Sequence, residues 1–514
     1  METVLNAVDR QIPLRLEGRD LIPYKGMYEN PPKQRKAQPY FGYVKHGDSK
    51  LLASIDDAIE KTGLKDGMCV SFHHHLRNGD GVVNLVMQHI ADKGIKDIKI
   101  APSALFPVHE PLVELMDAGV VTSIEGSMNG PVGDAVSHGR MQKLTVLRSH
   151  GGRVRAIQAG DIKVDVAFIA APVADKEGNC NGRYGKNACG SLGYPKVDSF
   201  YAKKVVVVTD NLVEYPCTPM IISSPYVDHV VEVDSIGSHE MIVSGTTKVA
   251  TDPLKLSIAQ NAVDLMVHTG IFRDGMTFQA GAGGIALATT KILGDLLEEK
   301  GLVADFINGG VTQHVVDIYY KGCTKKIFNG QSFDVASIKD LNENPDHIEI
   351  NPDYYANPWN KGCLANIQDA VVLGATEIDV DFNVNVNTHS DGRLLHGIGG
   401  HQDTAPGAKL SMMTVPLFRK KNPIIRERVT NVTTPCHATD AIVTDMGIAI
   451  NPARTDLLKK LEGSPIKLID INELKDMAYA ETGTPEEPEF GDRIVTLIEY
   501  RDGSALDVVR QLRE

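Results

Sequence analysis

The apolar positions of this chain fall into two alternating patterns, and the pair of patterns occurs twice. Residues 61–74, KTGLKDGMCVSFHH, and residues 268–281, HTGIFRDGMTFQAG, each carry Thr-Gly, a basic residue, Asp-Gly-Met and then an extended run. Both runs meet polar or glycine residues and pass into helical periodicity, DGVVNLVMQHIADKG at 80–94 and GIALATTKILGDLLEEKG at 284–301. Each predicted helix stops at Lys-Gly, with glycine where a helix end favours left-handed backbone. A β-rich segment follows in both copies, IKDIKIAPSAL and LVADFINGG, and then a second helical stretch, EPLVELMDAGVV and HVVDIYYKG. Further on, residues 161–179 and 377–393 each read as a long β-like run that stops at an Asp/Gly turn. Strands alternating with helices at this spacing predict mostly parallel sheet, because parallel neighbours need a crossover. The repeat therefore predicts an α/β protein of two related open domains, 45–245 and 246–514. Residues 1–44 form an N-terminal extension whose Pro-rich stretch is expected to pack as an irregular arm. The acidic segment ETGTPEEPEF reads as a surface loop before a last strand, RIVTLIEY. Two half-related sheets place a site in the cleft between them, where strand C-terminal ends and glycine loops face each other.

Composition narrows the classes. The chain has 514 residues, 42% hydrophobic and 23% charged, the balance of an ordinary globular protein. A formal net charge of −13 argues against nucleic acid as a partner, since phosphate neutralisation needs a basic surface. No apolar run reaches membrane-spanning length and no signal-like segment opens the chain, so no membrane partner is expected and the cytoplasm is the expected compartment. The seven cysteines are scattered, without a C-x-x-C pair, and read as free thiols.

Glycine turns carry the candidate chemistry. Gly281-x-Gly283-x-x-Ala286 matches the dinucleotide fingerprint in form, but its supporting features fail. Asp305, near the distance expected for a ribose ligand, is followed by further strand-like residues, Gln279 interrupts the preceding strand, and the first repeat has His73-His74-His75-Leu76-Arg77 at the equivalent place. Two other clusters, INGGVTQH at 307–314 and LLHGIGGHQD at 394–403, also sit at predicted strand ends. Glycines let backbone approach a ligand closely and let N–H groups point at negative oxygen. Three such turns on one sheet edge predict a pocket for a flat, oxygen-rich acyl group.

The segment TDPLKLSIAQNAVDLMVHTGIFRDGMTFQAGAGGIALAT, followed by GGVTQHVVDIYYKG and GIGGHQD, resembles the second domain of acyl-CoA:carboxylate CoA-transferases of the acetate and 4-hydroxybutyrate type. Within that superfamily the whole chain, including HHHLRNGDG, most resembles the citrate lyase alpha-chain family. The resemblance implies two CoA-transferase-like domains and exchange of acids on a thioester: acetyl-carrier plus citrate gives citryl-carrier plus acetate. It implies a gamma chain as acyl carrier, a beta chain that cleaves the citryl thioester, and an oligomeric complex. It implies no cofactor bound by this chain, the CoA-like phosphoribosyl-dephospho-CoA arm being the carrier's. Ordinary members of the superfamily use a glutamate nucleophile just before the segment that GGVTQHVVDIYYKG resembles. Aligned back from Val315-Val316-Asp317-Ile318, that position falls on Gly309, beside Gly310, with no carboxylate. The departure implies direct attack by citrate and a mixed anhydride in a ternary complex, without a covalent enzyme intermediate.

Without a nucleophile, catalysis falls to positioning and oxyanion stabilisation, with backbone donors at Gly283, Gly284, Gly309, Gly310, Gly399 and Gly400 as the candidates. Citrate's carboxylates call for cations and amides. Arg148, Arg153, Arg155, Arg183 and Lys186 are the candidate cations; Gln279, Gln313, His314, His401 and Gln402 are candidate donors. Each of these also has a plain structural reading, as a surface charge or an internal hydrogen-bond partner. In a strand only His73 and His75 of the histidine run share a face, and no third ligand is spaced for a metal. The competing readings are a conventional CoA-transferase or thioesterase with a covalent Glu, a citramalate-specific homologue, and a scaffold that only docks the carrier and lyase chains.

Overall fold

Two parallel sheets carry the molecule, and both follow one plan. In the computed structural model, which describes residues 2–32, 36–243 and 248–513, the first sheet has seven strands. Their order is Leu51–Leu52, His229–Glu232, Lys204–Thr209, Val166–Ala171, Cys69–Phe72, Ile98–Pro102 and Val121–Ile124, all parallel. The second sheet has eight: Ile448–Ile450, Ala441–Val443, Leu410–Thr414, Ala370–Leu373, Thr277–Ala280, Phe306–Val311, Ile327–Ser332 and His347–Glu349. Only the Ile448–Ile450 pairing is antiparallel. Six strands of each sheet thus occur in the same chain order, with Cys69–Phe72 matching Thr277–Ala280. The open, parallel α/β architecture expected from the repeat is present.

The predicted helices are Val82–Asp92 and Gly284–Lys300. The second ends at Gly301, whose φ of 63° lets its N–H reach the carbonyls of Leu297 and Glu298. The run at 377–393 departs from expectation. It forms two short strands, Glu377–Asp379 and Val384–Asn385, folded back on each other by a side chain. The Asp379 carboxylate accepts the N–H groups of Asp381 and Asn383, an alternative to the strand ladder. Asp175 does the same for Glu177 and Asn179 in the first half. The sheet strand of the second half is the plainer four-residue run Ala370–Leu373.

Each sheet organises a core of its own. One cluster contains Val70, Phe72, Ile100, Phe168 and Val207; another contains Phe278, Leu293, Ile307 and Val372. The first cluster also takes in Ile498, Leu506 and Val509 from the end of the chain. Strand Phe490–Glu499 pairs with Ala505–Leu512 and, in parallel, with Thr145–Leu147. At the other end, Asn6 Nδ2 donates to the Leu506 carbonyl at 2.7 Å and Tyr24 N–H to Ala505. The N-terminal extension makes two small hairpins, Thr3–Leu5 with Gln11–Pro13 and Arg15–Leu16 with Arg19–Asp20. Among the described residues no helix is long and apolar enough to cross a membrane.

Candidate functional site

The second half supplies bare backbone. Ala280, at the tip of Thr277–Ala280, lies in register with Gly309 on the neighbouring strand. Gly281 N–H donates to Val372 at 2.9 Å, and two residues beyond Val372 the Gly374 carbonyl is 2.7 Å from His401 Nε2. Gln279 Nε2 donates to the Tyr355 hydroxyl, whose oxygen stands 2.8 Å from where a Cβ on Gly400 would lie. These links draw the turns at 281–284, 309–310 and 399–400 together.

Two of the glycines are required by the geometry. Gly309 has φ +113°, a conformation side-chain-bearing residues rarely adopt, and the ladder to Ile327–Ser332 shifts register between Gly309 and Gly310. A Cβ on Gly310 would stand 2.0 Å from a ring carbon of Phe333, a clash only a shift of the ring could relieve. The place aligned with a glutamate nucleophile is therefore shaped against a side chain.

Helix Gly284–Lys300 starts without a side-chain cap. By contrast Ser54, Ser149, Asp252, Asp334, Asn351 and Asp470 each cap a helix start. Among the described residues no acceptor meets the N–H groups of Ala282 to Ile285, or those of Gly399 and Gly400. First-turn amides carry partial positive charge and favour an anionic oxygen.

The first half supplies side chains. Gln331 Nε2 donates to the His74 carbonyl at 3.0 Å, joining the tips of the two sheets, and His150 N–H donates to Gly399 at 2.9 Å. The Arg77 guanidinium lies between the Phe106 ring, 5.1 Å from its centroid, and the Phe333 ring, 5.0 Å away. His74 stacks on His150 with centroids 5.6 Å apart, and Tyr194 meets both rings. Burial lowers the Arg77 pKa to about 10, which leaves it charged near neutrality. Burial, reinforced by Arg153 and Arg77, lowers His150 to about 4, and burial lowers His401 to about 4, so both imidazoles are neutral. Sequence reasoning did not select Arg77, His74, His150, Tyr194 or Tyr355. The one available signal was position, since His74 and Arg77 follow a strand tip and His150 follows a helix-capping serine.

The candidate cations have protein partners. Arg148 Nε meets Glu499 at 2.7 Å and its Nη1 meets Glu125 at 2.7 Å. Arg153 makes two 3.0 Å contacts to Asp198, which also holds His73 Nε2 at 2.5 Å. Arg155 pairs with Asp161 and Glu499 and lies over Trp359. Arg183 reaches across to Glu349 of the second half at 3.4 Å. Lys186 is exposed and donates to the Asp234 carbonyl at 2.7 Å. Among the candidate donors, Gln279 and His401 stand at the glycine turns. Gln402 is buried and donates to Thr433, while Gln313 is exposed and bonds Asp317 of its own helix. His314, beside it, is half-buried. Asp305 precedes Phe306–Val311 at the end away from the glycines and pairs with Lys325 at 2.6 Å, so it holds nothing at that turn.

A family model described as citrate lyase, alpha subunit, matches residues 48–512. The chain belongs to the citrate lyase alpha-subunit family. Membership makes it an enzyme component of the transferase kind. The citrate lyase alpha chain of Escherichia coli K12 is 44% identical over 488 residues, 95% of each chain. A crystal structure of the citrate lyase alpha subunit from Streptococcus mutans, in complex with citrate, superposes with a TM-score of 0.96 at 44% identity, covering 99% of this chain and 100% of that one. A 4-hydroxybutyrate CoA-transferase from Porphyromonas gingivalis, 19% identical, shares the fold with a TM-score of 0.55 over 84% of this chain and 96% of its own. The CoA-transferase-like fold that the family resemblance implied is thus present.

Proposed function

We propose that this subunit exchanges one acid for another on a carrier-bound thioester, turning acetyl-carrier and citrate into citryl-carrier and acetate. The site is the cleft where the glycine turns of the second half meet the His74–His150–Arg77 side of the first. A citrate carboxylate adds to the acetyl carbonyl, the oxyanion is held by the Ala282–Ile285 and Gly399–Gly400 amides, and the carrier sulfur leaves as thiolate. The resulting anhydride of acetate and citrate is then attacked by that thiolate at the citryl carbonyl, releasing acetate. The chain itself holds no cofactor; the CoA-like arm belongs to a gamma carrier chain, and a beta chain cleaves the citryl product.

One observation carries this reading. Unaccepted amides stand at 282–285 and 399–400, turns linked through Ala280 and through Gln279 and Tyr355 to the position aligned with a nucleophile, Gly309–Gly310, which excludes a side chain. Citrate in the Streptococcus mutans relative supports the choice of acid. The test is acetate release from acetyl-carrier and citrate in the assembled complex, repeated after treatment with borohydride. Citrate-dependent release that survives borohydride fits the reading. Inactivation with a glutamate reduced to the alcohol would replace it with a covalent mechanism, and release without citrate would make the chain a thioesterase.

A further inference from the structure

His150 was not among the residues that the acid-exchange reading needed, yet its placement is specific. It is the first residue of helix His150–Ala159, after Ser149, whose hydroxyl accepts the Gly152 N–H and donates to Asp403. Asp403 also accepts the Gly151 N–H, so this helix start is tied to the 401–404 segment that follows the third glycine turn. The backbone N–H of His150 donates to the Gly399 carbonyl, and its Nε2 lies 4.0 Å from where a Cβ on Gly399 would stand. No side chain occupies that space, because residue 399 is glycine at φ +63°.

The ring is held on two sides, by stacking against His74 and by the Tyr194 edge, 4.9 Å between centroids. His74 is itself fixed by Ser103, 2.6 Å from its Nδ1. The charged and titratable groups around the ring are Arg153 on its own helix and Arg77, His74 and Tyr194 on the elements packed against it. Among the described residues neither ring nitrogen of His150 has a hydrogen-bond partner, and the residue is partly open to solvent. The Arg148 and Arg153 side chains that flank it in sequence are closed onto Glu125, Glu499 and Asp198.

We propose that His150 touches the reacting acyl group, donating a hydrogen bond from Nε2 to the carbonyl oxygen lodged at the Gly399–Gly400 turn. The inference rests on the acid-exchange reading and adds to it a side-chain donor from the opposite half. As the citrate oxygen forms its bond to the carbonyl carbon, the C=O pair moves onto oxygen and the Nε2–H bond to it shortens. When the C–S bond breaks, its pair leaves with sulfur and the carbonyl reforms. His150 keeps its proton throughout. The surrounding burial and the two arginines keep the ring uncharged. It therefore stabilises developing charge without forming an ion pair with the resting substrate.

The experiment measures citrate-dependent acetate release from acetyl-carrier in the complete complex, with His150→Ala and His150→Gln beside the unaltered chain. Loss of one oxyanion donor is expected to lower kcat by on the order of 100-fold in His150→Ala, with KM for citrate changed less than about threefold. His150→Gln, which keeps an N–H at similar reach, is expected to recover part of kcat, and the thermal midpoints of both are expected to stay near the unaltered value. An unchanged kcat in His150→Ala overturns the inference and leaves the exchange reading intact. A fall in kcat that tracks a fall in thermal midpoint, with no recovery in His150→Gln, makes the residue structural. An unaltered complex that releases no acetate with citrate removes the exchange reading and this inference with it.

Discussion

The two halves of this chain share a plan and differ at their tips. Asp175 and Asp379 fold equivalent turns in the same way, each accepting the backbone N–H groups two and four residues on, pairing with the asparagine four residues on, and accepting a third, remote N–H, from Cys217 and Val429 respectively. Those asparagines repeat the agreement, Asn179 accepting from Ser224 N–H and Asn383 from Cys436 N–H. Yet where strand Cys69–Phe72 runs into three histidines and Arg77, strand Thr277–Ala280 runs into glycines. One copy presents side chains that hold their shape through ion pairs and ring stacking; the other presents backbone amides. A duplicated scaffold can thus divide labour, with rigidity and side-chain chemistry on one side and close backbone approach on the other.

The division can be broken by substitution. The largest effect is expected on the first-half side, where Asp198→Ala strands the buried Arg153 and His73. Removing one partner of such a pair costs about 3–5 kcal/mol, read as a lower urea midpoint. On the second-half side, Gly310→Leu forces Phe333 out of place and is expected to cost roughly 2.7–4 kcal/mol of barrier, a 10²–10³-fold lower acetate-release rate.

A pair of variants two residues apart sharpens the contrast through pH. Burial raises the Asp403 pKa to about 6, so its contribution to stability is full below about 3.8 and is lost as pH rises through about 6. Burial lowers His401 to about 4, so its contribution is full above about 6.5 and is lost as pH falls through about 4. Asp403→Asn is expected to gain on the unaltered chain by ~2 kcal/mol between pH 4 and pH 8, and His401→Gln to gain by ~3 kcal/mol in the opposite direction. Unfolding curves at the two pH values decide it. The smallest expected effect tests the likeness of the halves. Asp175→Ala and Asp379→Ala should each cost about 1–3 kcal/mol, and by similar amounts, since each strands the donors two and four residues on and one remote donor. Unequal losses in chemical denaturation would show that the shared geometry hides different energetics.

Much of this architecture was legible in the order of residues. Asp-Gly-Met followed by an extended run marked both founding strands, and Lys-Gly marked both helix ends. Gly281–Gly284 follow the tip of the parallel strand Thr277–Ala280, as their place in the sequence suggested, whereas Gly399–Gly400 follow the short antiparallel strand Val384–Asn385 of a side sheet and arrive by a loop. The run at 377–393 misled because alternation looks the same whether a ladder continues or an aspartate side chain captures the next amides. Ala370–Leu373, only four apolar residues, has no periodicity to read. The arginines of 148–155 looked available for citrate because their partners are remote in sequence; Glu499 lies 351 residues from Arg148. His150 carried only the signal of following a helix-capping serine, since its contact with the Gly399 loop exists only in the folded chain.

Strand Thr145–Leu147 waits for a neighbour that emerges from the ribosome more than 300 residues later. Until the 490–512 hairpin is translated, the early half lacks Ile498, Leu506 and Val509 from its interior, and Asn6 Nδ2 lacks the Leu506 carbonyl. Polypeptides cut short before residue 490 would therefore leave the early hairpins and Thr145–Leu147, as well as the break itself, unfinished and open to proteases.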